Sequence, residues 1–242
     1  RPSQELFLMR KRNQKQMSQI AKNLKKVNQQ ISKSATGPPP TLVAVTKTRS
    51  VEEINEAISL GIKSIGENRV QEAEVKFQKI SKKVEKRFVG HLQSNKIKKA
   101  ITLFDSIDSV GSYALAQKIS NRCQEKGKTQ RILIQINTSE EKTKSGFLLS
   151  EKKDILKCFS LPSLQIDGLM TIGPLAEDQN KRKKAFQSLK DFFSMVNKAI
   201  GPEKQIRELS MGMSDDFPLA IKEGSTMIRV GTNIFGARKT NA

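Results

Sequence analysis

Residues 41–60 read TLVAVTKTRSVEEINEAISL, and the pattern changes period halfway along. Leu42 to Val45 is a short unbroken apolar run, as expected of a strand covered on both faces. After Thr46-Lys47-Thr48-Arg49, Ser50 and Glu53 make an S-x-x-E capping box, and Val51, Ile54, Ala57 and Ile58 recur at helical spacing. Just upstream, Gly37-Pro38-Pro39-Pro40 stops any preceding helix and favours extended backbone, so a strand is expected from about Thr41. The stretch is one strand–loop–helix unit.

The same alternation continues along the chain. Seven further apolar runs read as strands: Ile62 to Ile65, Arg87 to Val89, Ser106 to Val110, Ile132 to Ile136, Ile166 to Met170, Ile206 to Leu209 and Met227 to Val230. Amphipathic segments lie between them, for example Ala185 to Ala199 with Phe186, Leu189, Phe192, Phe193 and Val196 on one face. Eight such units predict a parallel α/β fold closed as a single (β/α)8 barrel of TIM type, and 242 residues suit an architecture that runs to about 250. The barrel is expected over 41–242. Residues 1–40 are expected to supply an extra N-terminal helix and a Pro-rich linker packed on it, the helix marked by Leu6, Met9, Ile20, Leu24, Val27 and Ile31.

Forty-four Lys plus Arg against 24 Asp plus Glu give a net charge of +20, but 36% hydrophobic residues are too many for a disordered basic tail. The basic clusters, such as Arg10-Lys11-Arg12, Lys82-Lys83 and Lys181 to Lys184, are spread along the chain, and aromatics are 5% with no Trp. A dedicated nucleic-acid surface is therefore not expected. No apolar run reaches the ~20 residues of a membrane crossing. Cys123 and Cys158, the two cysteines, have no CxxC or Cys/His neighbourhood, so neither a disulfide framework nor a metal site is expected. These features fit a cytoplasmic protein. The basic, Ser- and Gln-containing start, opening on Arg1, admits a trimmed targeting segment and hence a mitochondrial or other organellar alternative.

Chemistry in such barrels collects at the carboxyl ends of the strands. Lys47 follows the first strand, where apolar walls would lower its pKa and make it a nucleophile toward an aldehyde; a plain surface lysine is the other reading. Ser210-Met211-Gly212-Met213-Ser214-Asp215 and Gly231-Thr232-Asn233 follow strands seven and eight, where small residues let the main chain approach an anion. They also read as ordinary turns, with Ser214 or Asp215 capping a helix. Arg229 interrupts an apolar strand and needs a partner, either a bound ring nitrogen or anion or an acidic side chain. Asn68 and Glu67 end the second strand: Asn68 could hydrogen-bond a ligand, Glu67 could pair with a barrel cation, or both could orient the loop. His91, the single histidine, reads more readily as packed or capping than as catalytic. An amine, an anion cradle and an arginine on the neighbouring strand together suit pyridoxal 5'-phosphate.

Six stretches, 42–48, 66–72, 88–96, 168–172, 209–216 and 229–236, closely resemble the pyridoxal phosphate homeostasis protein family, also called proline synthase co-transcribed homologues. The likeness runs in order from about Leu42 to Arg238. It implies a fold-type III barrel like the N-terminal domain of alanine racemase, with Lys47 forming a Schiff base with the cofactor. It further implies that Ser210, the Met211 main chain, Gly231 and Thr232 hold the phosphate, that Arg229 faces the pyridine nitrogen and that Asn68 lines the site. Thr46 stands where the family usually has Ser, and Arg87 where His is common. Members are regarded as carriers or regulators in vitamin B6 homeostasis without established turnover, so no catalytic residue is assigned. The expected partners are the cofactor and, as recipients, apoenzymes that depend on it, with the chain a monomer or weak dimer. The alternative is an amino-acid racemase of the same barrel class. That enzyme needs a second acid/base group, and the sole tyrosine, Tyr113, is expected well away from the strand ends.

Overall fold

All eight strands form, and they close in chain order into one parallel barrel. They are β1 (Thr41–Val45), β2 (Ser64–Glu67), β3 (Glu85–Phe88), β4 (Ser106–Val110), β5 (Gln130–Gln135), β6 (Leu164–Met170), β7 (Glu208–Ser210) and β8 (Met227–Val230). The seam is the pairing of β1 with β8, from Thr41 opposite Met227 to Ala44 opposite Val230. This computed structural model describes residues 17–139, 141, 144–174 and 178–237. Leu6, Met9, the Arg10-Lys11-Arg12 cluster and the start of the chain lie outside them.

Two strands begin later than their apolar runs. Ile62 is buried, but its amide closes the preceding helix on the Ala57 carbonyl (3.1 Å), so β2 begins at Ser64. Ile206 is likewise buried while its amide donates to Asn197 Oδ1 (2.8 Å), leaving β7 to start at Glu208. In both places hydrophobicity marks burial under a helix and not the strand ladder.

The helices are α1 (Gln19–Ser34), α2 (Val51–Ser59), α3 (Val70–Phe77), α4 (Ile97–Leu103), α5 (Tyr113–Glu125), α6 (Lys152–Cys158), α7 (Gln179–Ile200), α8 (Phe217–Lys222) and α9 (Thr232–Phe235). The α2 capping box is present: Ser50 Oγ accepts from the Glu53 amide (3.2 Å), and Glu53 Oε2 accepts from the Ser50 amide (2.9 Å). Ser18 caps α1, whose Ile20, Leu24, Val27 and Ile31 are buried in the cluster that also holds Ala220 of α8 and Ile234 of α9. None of the described helices is long and apolar enough to cross a membrane.

Inside the barrel, Val43, Leu133, Met170 and Met227 pack as a small apolar layer. Toward the amino ends of the strands the filling is ionic. Arg87, 1% exposed, meets Asp108 (3.1 Å), Glu208 (3.0 Å) and Glu85 (2.9 Å), while Arg131 meets Glu85 (2.8 Å) and Asp167 (2.6 Å). Burial opposes charge on Arg87, but Asp108, Glu208 and Glu85 outweigh it and raise its pKa. Burial works against the Glu85 carboxylate too, yet Arg87 and Arg131 hold its pKa below the ordinary range. A buried ion set of this kind is tolerated because every acid in it meets a guanidinium.

Candidate cofactor site

Lys47 lies two residues past the end of β1 and is half-buried. It lines two cavities. The larger, about 350 Å³, is bounded by Val45, Arg49, Met213, Ser214, Asp215, Arg229, Gly231 and Thr232. The smaller, about 240 Å³, is bounded by Asn68, Gly90, His91, Gln135, Asn137 and Lys144 among others. The lysine therefore stands on the wall that the two spaces share.

The larger cavity is built from the loops after β7 and β8, which are tied to each other. Ser214 Oγ accepts from the Gly231 amide (3.2 Å), and the Ser214 carbonyl accepts from Asn233 Nδ2 (2.8 Å). Ser214 and Asp215 do not cap α8. Its N-cap is Asp216, whose Oδ1 accepts from the Met213 amide (2.7 Å) and so folds the loop back. Gly212 sits at φ +97° with its pseudo-Cβ direction filled by Ala220 and Phe217, a conformation and a space that suit glycine alone.

Arg229 enters this cavity wall from the barrel interior. Its Nη1 donates to Ser210 Oγ and its Nη2 to the Thr171 carbonyl, both at 2.7 Å. Its partners in the described residues are thus neutral oxygens and not a carboxylate. Burial pulls its pKa down to about 10, with Asp108 and Asp216 opposing, so the guanidinium stays charged at neutral pH. Asp216, itself pushed up by burial, lies on the same side.

The remaining expected residues divide. Gly231 and Thr232 line the larger cavity with Lys47 and Arg229, and Asn68 lines the smaller one. Ser210 and Met211 are fully buried one step below the cavity floor. Ser210 Oγ accepts from Arg229, the Met211 amide donates to the Met227 carbonyl (3.1 Å), and Met213 and Ser214 line the cavity wall. Glu67 pairs with a helix lysine and not a barrel cation: Lys76 Nζ lies 3.0 Å from its Oε1. His91 is exposed and borders the smaller cavity, a nearer place than its capping reading implied.

Tyr113 also differs from expectation, because α5 begins three residues after β4. It is partly buried against the main apolar core and lines neither cavity. Gln135, Asn137, Lys144 and Arg49 were not expected at the site. Arg49 is buried and donates to the carbonyls of Phe235 (3.3 Å), Gly236 (2.5 Å) and Ala237 (3.2 Å), which ties the Lys47 loop to the segment after α9. No group of metal-ligating side chains occurs among the described residues.

A closed barrel with a half-buried lysine past β1 and paired loops past β7 and β8 is the class formed by the N-terminal domain of alanine racemase, and residues 16–239 match the family described as "Alanine racemase, N-terminal domain". Within that class the chain belongs to the pyridoxal phosphate homeostasis protein family. It is 38% identical over 226 residues to the Pasteurella multocida pyridoxal phosphate homeostasis protein, covering 92% of this chain and 96% of that one. PipY of Synechococcus elongatus PCC7942, in a structure with PLP bound, superposes with a TM-score of 0.80 at 35% identity, covering 90% of this chain and all of PipY. Alanine racemase from Clostridium difficile 630 shares the fold, with a TM-score of 0.71 at 17% identity over 91% of this chain and 58% of the racemase.

Proposed function

We propose that the protein binds pyridoxal 5'-phosphate through Lys47 and acts in intracellular vitamin B6 homeostasis as a carrier, delivering the cofactor to apoenzymes that need it. The observation that carries the reading is the shared wall: one half-buried amine borders both an anion-suited loop pair and a second polar space. The PLP-bound PipY structure and the names of the relatives support it.

The residues fit the group. Asn68 Oδ1 is buried and has no hydrogen-bond partner among the described residues, an acceptor waiting for a ligand donor such as a ring hydroxyl. Thr232 and Ser214 bring hydroxyl donors to the cavity wall, and Gly231, whose amide is held by Ser214 Oγ, lets the main chain approach a phosphate closely. Arg229 places a positive charge deep in the cavity wall, which disfavours a further proton on a ring nitrogen beside it. Val45 lines the same cavity as the lysine and gives it an apolar side. When bound, the cofactor supplies an electrophilic aldehyde for a lysine amine.

Turnover as a racemase would require a second proton-transfer group opposite Lys47. Tyr113 is not placed for it, whereas His91 and Lys144 border the smaller cavity, and that placement is what favours the racemase as the second reading. The deciding experiment is borohydride reduction after incubation with pyridoxal 5'-phosphate, followed by peptide mass spectrometry. The carrier reading expects one adduct, on Lys47, that disappears in Lys47→Ala; labelling at another lysine overturns it. Conversion of D- to L-alanine, or of other amino acids in a panel, by the loaded protein would replace carrier with enzyme.

A further inference from the structure

Next to Lys47 lies a cluster of charges, two of them buried, that the cofactor reading does not use. Lys76, on the inner face of α3, reaches three oxygens with one ammonium: Glu67 Oε1 (3.0 Å), Glu72 Oε1 (2.5 Å) and the Thr46 carbonyl (2.8 Å). Glu67 is completely buried, and the same Oε1 also accepts from Thr46 Oγ1 (2.7 Å), while its Oε2 has no partner among the described residues. Glu72 Oε1 accepts in addition from the Thr48 amide (2.6 Å). Thr46 and Thr48 are the two neighbours of Lys47 in the chain. The cluster thus grips the backbone on one side of the lysine by a side chain and a carbonyl, and on the other side by an amide.

The local backbone requires such a grip. Thr48 has φ +63°, a left-handed conformation that is costly for a β-branched residue and persists only where surrounding contacts impose it. That turn directs the chain away from β1 immediately after Lys47, and the Glu72 bond to the Thr48 amide is a charge-assisted contact made at the strained residue itself. Glu67 is also followed directly by Asn68, which borders the smaller cavity beside the lysine. Burial raises the Glu67 pKa against the pull of Thr46 and Lys76, so this carboxylate is held at a cost to the fold.

We propose that Glu67, Glu72 and Lys76 form a positioning device for Lys47, fixing the peptide on both sides of it so that the amine is delivered to the wall between the two cavities. The assignment rests on the cofactor reading of Lys47, and the three residues are positioning residues, since none lines either cavity.

Glu72 is the residue to change, because it is partly solvent-accessible and its loss leaves the buried Glu67–Lys76 pair in place. The full-length chain and its Glu72→Ala and Glu72→Gln variants are titrated with pyridoxal 5'-phosphate and with pyridoxine 5'-phosphate, which carries an alcohol in place of the aldehyde. Losing one charge-assisted hydrogen bond at the turn should weaken the aldehyde ligand about tenfold in Glu72→Ala while leaving the alcohol within about twofold. Glu72→Gln keeps an acceptor for the Thr48 amide and should recover most of the aldehyde's affinity.

In parallel, the unliganded proteins are treated with a small neutral acylating reagent across a pH range, and modification of Lys47 is followed by mass spectrometry relative to an exposed lysine. A changed Lys47 profile in Glu72→Ala, restored in Glu72→Gln, supports positioning without reference to any cofactor. Equal loss of both ligands in Glu72→Ala, or no loss of either together with an unchanged Lys47 profile, overturns the proposal. Failure of the unsubstituted protein to bind either ligand would refute the cofactor reading instead, and the labelling profile alone would then decide the positioning claim.

Discussion

Arg87 is the keystone of the barrel's ionic layer, and Arg87→Met tests that reading quantitatively. The substitution conserves much of the volume but withdraws the guanidinium from Asp108, Glu208 and Glu85 together. Arg131 continues to hold Glu85 and Asp167, and contacts Glu208 at 3.4 Å, so the group left without a direct cation contact among the described residues is Asp108, 0% exposed, which keeps its bond from Ser106 Oγ (2.5 Å) and a through-space attraction to Arg229. Breaking a buried pair in this way costs about 3–5 kcal/mol. At roughly 2–4 °C per kcal/mol for a chain of this size, Tm should fall by about 6–20 °C at pH 7.

The pH dependence supplies the sign. In the parent, Glu85 has a depressed pKa, so its contribution is present above the ordinary carboxylate pKa and is lost as pH falls through the folded value. Glu208 has a raised pKa from burial, so its contribution is present at low pH and is lost as pH rises through its folded value. Removing Arg87 weakens the first effect and strengthens the second. The Tm gap between variant and parent should therefore narrow from pH 7 to pH 5, as Glu85 and Glu208 take up protons more readily in the variant. Scanning calorimetry of the ligand-free proteins measures it. A drop smaller than about 2 °C, or parallel pH profiles, would refute the account of the layer as a mutually compensated ion set.

Other substitutions bear on the site. Gly90→Ala would place a Cβ 2.2 Å from the Asn68 carbonyl oxygen and 2.6 Å from its Cα, so the Asn68 backbone must move; a loss of about 1–3 kcal/mol and weakened cofactor binding are expected by thermal unfolding and titration. Arg229→Ala should retain the barrel fold by circular dichroism but bind the cofactor more weakly and with an altered absorption spectrum; unchanged affinity would mean that this cation serves only Ser210 and Thr171. Cys158 is buried and its thiol is pushed up to about 12, chiefly by burial, so iodoacetamide at pH 8 should leave it unmodified until the protein is unfolded. Rapid alkylation of the native protein would contradict that placement.

The fold was legible because each strand–helix unit repeats a change of hydrophobic period, as in 41–60, and closure followed from the number of units. What escaped was which buried apolar residues belong to the ladder: Ile62 and Ile206 read as strand but are consumed by helix ends. At the site, Lys47, Arg229, Gly231 and Thr232 were legible from their positions after or within strands and from family likeness, and they do gather around one cavity. Ser210 and Met211 show the limit. Both are buried and neither bounds that cavity, whereas Met213 and Ser214, beyond Gly212 at positive φ, do, and a loop's sequence does not show which of its residues will line a wall. Lys144, Gln135 and Asn137 carry no local signal, because they share a cavity with Lys47 only through the closure of strands far apart in sequence. The partnership of Lys76 with Glu67 was hidden for a similar reason: nine residues separate them, and only the packing of α3 on β2 joins them.

The β1–β8 seam has a consequence for how the molecule is made. Lys47 emerges from a ribosome before Arg229, Gly231 and Thr232, which belong to β8 and its loop, and Arg49 anchors to carbonyls later still. A nascent chain in which only the first seven strands have been synthesised therefore carries Lys47 without one side of the cavity it borders, and that cavity is completed only when β8 and its loop have been made and paired with β1.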